Sequence, residues 1–283
     1  MSQLIQIRNR IKTIETTKKI THAMRLISMS THAKVRTKEP MLNEYKQNLF
    51  TIFHALKRQV PKWTHPVFYP TTHYEKHLII IVGSQKGLVG NFNTNVITLF
   101  AKELHNKKRV TINCIVIGKK AIEHMHSIFK NQRLAIITAY PEFGLHNFLS
   151  LANNIMYEIT NAEKPYTTVT FYSNEAKSFF IQRAISSQVI PFLDEPTPPA
   201  PQEDYYWEQP PAEILDTLAQ QCFEAQVQHL LFQSLLAEHA ARFLSMDHAT
   251  RNAKNLLDQT KLLYNKLRQY KITKELSEIA SSF

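Results

Sequence analysis

The sequence predicts an α/β protein in which a central Rossmann-like domain is flanked by an antiparallel coiled coil of long N- and C-terminal helices. Three observations predict it. Residues 1–39 and 212–283 hold neither glycine nor proline, the two residues that most strongly interrupt helices. All 5 glycines fall between Gly83 and Gly144. Between the two ends, apolar strand-like runs alternate with amphipathic segments, the pattern of a mostly parallel sheet covered by helices. A helix across Ala212–Leu276 is ~95 Å long at the helical rise, whereas a compact globule of this chain length is about 50 Å across.

The N-terminal helix, taken within residues 1–60, opens with Leu4, Ile7, Ile11 and Ile14. Spacings of three and four mark a coiled-coil seam. A strict register continues through Lys18 and Thr21, but the apolar positions move to Ile20, Met24 and Ile27. That shift reads as a stutter. Pro40 interrupts the helix and Tyr45–Val60 resumes it. The central domain, 75–193, reads as strand His77–Val82, helix Thr94–His105, strand Thr111–Ile117, helix Lys119–Lys130 and strand Leu134–Thr138. Helix Phe148–Ile159 and strands Thr167–Tyr172 and Phe179–Val189 complete it. Asp194–Pro211 is a proline-rich linker. In the last helix, 212–283, Leu256, Thr260, Leu263, Leu267 and Tyr270 are spaced four, three, four and three as a matching seam. Ile214, Leu215, Leu218, Cys222 and Phe223 form a wider stripe suited to packing on a domain.

The net charge of +11 is unevenly placed. Residues 1–39 carry nine Lys or Arg against two acids, and residues 240–283 carry eight against four. The middle of the chain holds 17 of each and is neutral. A basic helix pair draws an acidic partner: a protein surface, a nucleic acid or an anionic lipid. Cys114 and Cys222 are isolated thiols with neither disulfide nor metal spacing, which suits a reducing compartment. No apolar run is long enough to span a membrane, and the N-terminus shows no secretory pattern.

Enzymatic chemistry is not legible. Gly83–Gly90 (GSQKGLVG) sits between a strand and a helix, but it fits neither phosphate-loop pattern and reads as a tight turn. The 13 histidines are scattered, with no metal-ligand spacing. Neither a nucleophile elbow nor a Ser–His–Asp arrangement is visible. The residues therefore predict no catalytic site, no metal and no cofactor.

Several linked segments carry a resemblance. Ile7–Met24 (IRNRIKTIETTKKITHAM) is similar to the opening of the gamma subunit of F-type ATP synthases, where I-R-x-[RK]-I leads into K-I-T-x-A-M. Glu238–Asn252 (EHAARFLSMDHATRN) and Leu263–Ile279 (LYNKLRQYKITKELSEI) resemble that family's two C-terminal motifs, and SQKGLVGNFN its central S-D-R-G-L-C-G-G-x-N. The motifs follow in order and cover essentially the whole chain.

The resemblance implies a rotor without catalytic residues. Its terminal helices form the coil inside a ring of three alpha and three beta subunits, and its α/β domain sits on the membrane ring of c subunits beside epsilon. Proton flow turns it and drives the nucleotide sites of beta. The complex lies on the cytoplasmic face of a bacterial inner membrane or its organellar equivalent. Carried over by motif, Met24 faces the acidic lever of beta, with Lys18 and Arg25 beside it. Arg242, Arg268, Gln269 and Thr273 meet the alpha–beta ring. Lys86, Tyr205 and Glu208 face epsilon and the c ring. Leu4, Ile7, Ile11, Ile14, Leu256, Leu263, Leu267 and Tyr270 form the coil core. The chain departs from the family at Gln85-Lys86, Val89 and Asn91, and at its end, Ala280–Phe283. A basic coiled-coil nucleic-acid binder is the alternative, and a doubly wound enzyme with helical extensions a third reading.

Overall fold

The computed structural model describes residues 2–65, 69–70, 76–106, 112–128, 134–161, 166–191 and 207–282. The expected linker lies largely outside them. The elements run in the order α1 (Ser2–Arg36), α2 (Glu39–Gln59), β1 (His77–Val82), α3 (Phe92–Asn106), β2 (Ile112–Ile117), α4 (Lys119–Ile128), β3 (Leu134–Tyr140), α5 (Phe148–Thr160), β4 (Thr168–Ser178), β5 (Ile181–Ile190) and α6 (Pro211–Ala280). The chain divides into two units, Thr31–Ala241 and Met1–Ser30 with Arg242–Phe283. The terminal helices are thus shared: residues beyond Ser30 in α1, all of α2, and α6 up to Ala241 belong to the α/β unit rather than to the coil.

In the α/β unit five strands lie in the order β3-β2-β1-β4-β5. β1 pairs in parallel with β2 and β4, and β2 with β3. β5 closes the edge antiparallel to β4. Successive strand side chains point to opposite faces, and both faces are covered, which explains the unbroken apolar run HLIIIV in β1. Leu78, Ile80 and Val82 face one core with Ile115, Ile117 and Phe171, under α2, α5 and the first half of α6. Ile79 and Ile81 face the other with Cys114, Val116 and Tyr172, under α3 and α4. Phe53 of α2 and Phe223 and Leu231 of α6 are buried to within 1% in the first core.

Two boundaries depart furthest from expectation. Pro40 occupies the first turn of α2, where its missing N–H costs nothing, so α2 starts at Glu39 rather than Tyr45. β4 runs on to Ser178 through the polar stretch SNEAKS, because the antiparallel pairing with β5 holds it beyond its apolar half. Gly118 follows β2 at φ +95°, with the carbonyl oxygen of Gly83 2.5 Å from where a Cβ would stand. Only glycine permits that approach and conformation.

The coil unit pairs residues 2–30 of α1 with residues 242–280 of α6. Contacts run in opposite senses along the two helices: Glu15 with Lys261, Ile14 with Ala253 and Leu257, Thr21 with Thr250 and Arg25 with Asp247. The pair is antiparallel. α6 is unbroken through Ser245–Asn252.

Candidate functional site

The seam of α1 holds its register. Leu4, Ile7, Ile11, Ile14, Lys18, Thr21, Arg25 and Ser28 recur at alternating spacings of three and four, and all are half-buried or buried. There is no stutter. Ile20 and Ile27 are 57% and 59% exposed. With half-buried Met24, they form a second stripe at spacings of four and three beside the seam. The apolar shift in the sequence marks this second stripe, while polar side chains carry the seam.

The seam of α6 is Thr250, Ala253, Leu257, Thr260, Tyr264 and Leu267, buried or half-buried throughout. Thr260 and Leu267 lie where expected. Leu256, Leu263 and Tyr270 do not belong to it: they are 41%, 50% and 68% exposed. The neighbouring pairs Leu256-Leu257 and Leu263-Tyr264 offer two apolar phases one residue apart. The buried phase is the one in line with Thr250 and Ala253.

A polar knot sits in the seam. An Arg25 guanidinium N–H donates to Asp247 Oδ1 at 2.7 Å, and Arg251, one turn on, donates to Asp247 Oδ2. Arg25 also lies 3.1 Å from His22 Nδ1. The hydrogen bond from Arg25, then that from Arg251, hold the Asp247 carboxyl below the usual carboxylate range. Glu15 is lowered in the same way by Lys261, 2.8 Å away. The Thr250 hydroxyl donates to the Met246 carbonyl at 2.7 Å, and its oxygen lies 3.0 Å from Thr21 Oγ1. A strict heptad continuation past Ile14 would have located Thr21, Arg25 and Ser28. Asp247 and Thr250 carried no such sequence signal.

The residues assigned by motif fall into three groups. Arg268, Gln269 and Thr273 are exposed on α6. Lys86 and Glu208 are exposed on the α/β unit, and Tyr205 lies outside the described residues. Lys18, Met24 and Arg25 are half-buried, and Arg242 is only 5% exposed, so this arginine is held within the chain instead of displayed. Large apolar side chains stand open near the end of α6: Leu262, Tyr270, Leu276 and Ile279 are each at least 57% exposed.

In open parallel sheets the ligand crevice lies where the strand order reverses, at the carboxyl ends of the strands. That place is between β1 and β4. The chain fills it with its own side chains: Val89 and Phe92 are buried against Ala237, with Ala176 and Ala241 beside them. Asn174 donates to the Phe92 carbonyl at 3.1 Å. Asn93 bridges Ser84 through two 2.8 Å hydrogen bonds, which ties the Gly83–Gly90 loop down as a turn. Burial pushes the thiols of Cys114 and Cys222 up to about 12, away from thiolate chemistry. Among the described residues no cluster of His, Cys, Asp and Glu fits a metal ion, and no helix is long and apolar enough to cross a membrane.

Comparison with known proteins covers the whole chain. The family model described as ATP synthase matches residues 3–283. The ATP synthase gamma chain of Chlorobium limicola is 30% identical over 292 residues, spanning 99% of this chain and 98% of its own. That of Rickettsia typhi is 31% identical over 294 residues, with the same shares. Among solved structures, a chain in the Euglena gracilis mitochondrial ATP synthase OSCP/F1/c-ring assembly matches with a TM-score of 0.71 at 15% identity, covering 99% of this chain and 93% of that one. A chain of the Euglena gracilis ATP synthase rotor matches at 0.64 and 14% identity, over 96% and 99%. At these identities the two structures speak to the fold.

Proposed function

Because the chain belongs to the ATP synthase gamma-chain family, we propose that it is the central-stalk rotor subunit of the F1 sector. It couples ion flow through a membrane c ring to ATP synthesis or hydrolysis at the beta subunits. One copy stands in a ring of three alpha and three beta subunits, its α/β unit meets epsilon and the c ring, and it reaches the membrane as a peripheral subunit on the cytoplasmic or equivalent organellar face. It has no catalytic site of its own. The filled crevice between β1 and β4 supports that reading, and these relatives lend no support to the nucleic-acid alternative.

The observation that carries the proposal is the surface of the coil. Large apolar side chains near the end of α6, and Ile20 and Ile27 on either side of half-buried Met24 on α1, stand exposed on a helix pair. Exposed apolar surface of this kind marks an interaction site, and an enclosing ring covers it on all sides. Met24, an adaptable side chain half-buried between exposed Ile20 and Ile27, meets the beta subunits. Arg268, Gln269 and Thr273 give polar contacts further along α6. Lys86 and Glu208 on the α/β unit, with Tyr205, face epsilon and the c ring. Arg242 acts from within the chain, positioning the helix it stands on.

Co-expression with alpha and beta subunits of the same source, weighed by native mass spectrometry, tests the proposal. The expected product is an alpha3–beta3 ring with one copy of this chain and ATPase activity that the chain lacks alone. A chain that stays free of the ring defeats the reading.

A further inference from the structure

Leu88, in the loop after β1, is the one non-glycine residue with a positive φ among the described residues, at 66°. A bulky side chain is disfavoured there, whereas glycine and asparagine enter the region readily. The loop has glycines close by, at Gly87 and Gly90. Gly87 has room for a side chain, since the nearest atom to its added Cβ is Lys120 Cε at 4.0 Å. The strained place therefore holds leucine while a roomy one holds glycine.

The frame around the loop enforces this conformation. Asn93 ties Ser84 through two hydrogen bonds of 2.8 Å. The Lys120 N–H donates to the Ser84 carbonyl at 3.0 Å, and Asn174 holds the Phe92 carbonyl. Val89, the next residue, is buried against Phe92 and Ala237. Leu88 turns the other way and is 55% exposed, so burial within the chain offsets little of its strain. A backbone outlier that the fold over-determines points to use by a partner, and a side chain fixed in place loses little freedom on docking. The neighbourhood is basic. Lys86 lies in the loop, Lys120 abuts it with Lys119 beside it, and the carboxylate of Glu123 is paired to Lys120. Charge complementarity calls for an acidic rim on the partner.

We propose, on the rotor reading above, that Leu88 is a preorganised anchor. It seats in an apolar recess edged by carboxylates on another subunit of the assembly, and that contact repays the strain of its turn.

The free chain tests the strain. Leu88→Asn melts no lower than the native chain and about 2–4 °C above Leu88→Ala, which loses the same contacts but not the strain. A melting midpoint for Leu88→Asn below native means that the chain's own packing repays the turn, and overturns the proposal. The assembly tests the anchor. Isotope-labelled variant and unlabelled native chain are mixed equally over limiting alpha, beta and epsilon subunits of the same source. Leu88→Asn and Leu88→Ala enter the complex about tenfold less than native, the equivalent of roughly 1.4 kcal/mol. Leu88→Met, which keeps an apolar side chain, enters equally. A benzophenone carried on Leu88→Cys, with both native cysteines buried, crosslinks to a segment of another subunit where apolar residues adjoin Asp or Glu. An equal share for Leu88→Asn, or a crosslink confined to this chain, overturns the proposal and leaves the rotor reading standing. A native chain that stays out of the complex defeats both.

Discussion

The two units of this chain are held by different means. The α/β unit packs two continuous cores on a five-stranded sheet, with residues such as Phe53, Phe100, Phe171 and Phe223 fully enclosed. The coil unit buries Ile14, Ala253 and Leu257 in its apolar layer, with Ile11 at its edge. Further along, hydroxyls and an ion-pair knot carry the seam. A sheet core gains from volume filled on every side, and single positions share the load. A two-helix seam has few layers, so position along the seam decides what a substitution costs. A surface that partners enclose leaves apolar residues outside, and the coil carries such residues at Ile20, Ile27, Leu262 and Tyr270.

The largest effect belongs to the filled core. Phe53→Ala removes an enclosed ring and lowers the stability of the α/β unit by about 3–5 kcal/mol. The fluorescence of Trp63, whose ring centroid lies 5.8 Å from that of Phe53, reports it in urea titration. A loss below about 1 kcal/mol would break the comparison from the α/β side.

The seam comes next. Leu257→Ala lowers coil stability by about 2–3 kcal/mol, the low end for a buried leucine because the helix pair can close on the gap. Leu256→Ala, one residue away and 41% exposed, stays within about 0.5 kcal/mol. Thermal melts followed by far-ultraviolet circular dichroism separate the two. Equal effects would mean that the seam is not where the buried positions put it.

The smallest effect is the pH dependence of the polar layers. Asp247 and Glu15 are held below the ordinary carboxylate range by Arg25 and Arg251 and by Lys261. A depressed acid contributes stability that is present above its unfolded pKa and is lost as pH falls through its folded value. Coil helicity therefore stays level from pH 7 to about 5 and declines below about 4, near the unperturbed carboxylate values. A transition well above that range would contradict the assignment to these two carboxylates.

The same contrast explains what the sequence made legible. β1 was readable to the residue because a strand buried on both faces is apolar throughout. The second half of β4 was not, since Ser173 and Asn174 are buried polar residues whose place depends on β5 and on the Phe92 carbonyl. In α1 the eye follows apolar residues outward to Ile20 and Ile27, while the seam continues through Lys18, Thr21 and Arg25. In α6 adjacent leucines leave two phases, and only the partner helix selects Leu257 over Leu256. The motifs named a family and surface positions such as Arg268 and Lys86. They did not disclose the burial of Arg242 or the Asp247 knot, because both depend on what α6 meets across space.

The most direct test of the rotor claim is rotation itself. The chain is assembled with alpha and beta subunits of the same source, the ring is fixed to a surface, and a bead is attached through a cysteine at exposed Leu149. The account predicts that ATP drives the bead continuously in one direction. An assembled ring that hydrolyses ATP while the bead shows only Brownian motion would contradict it.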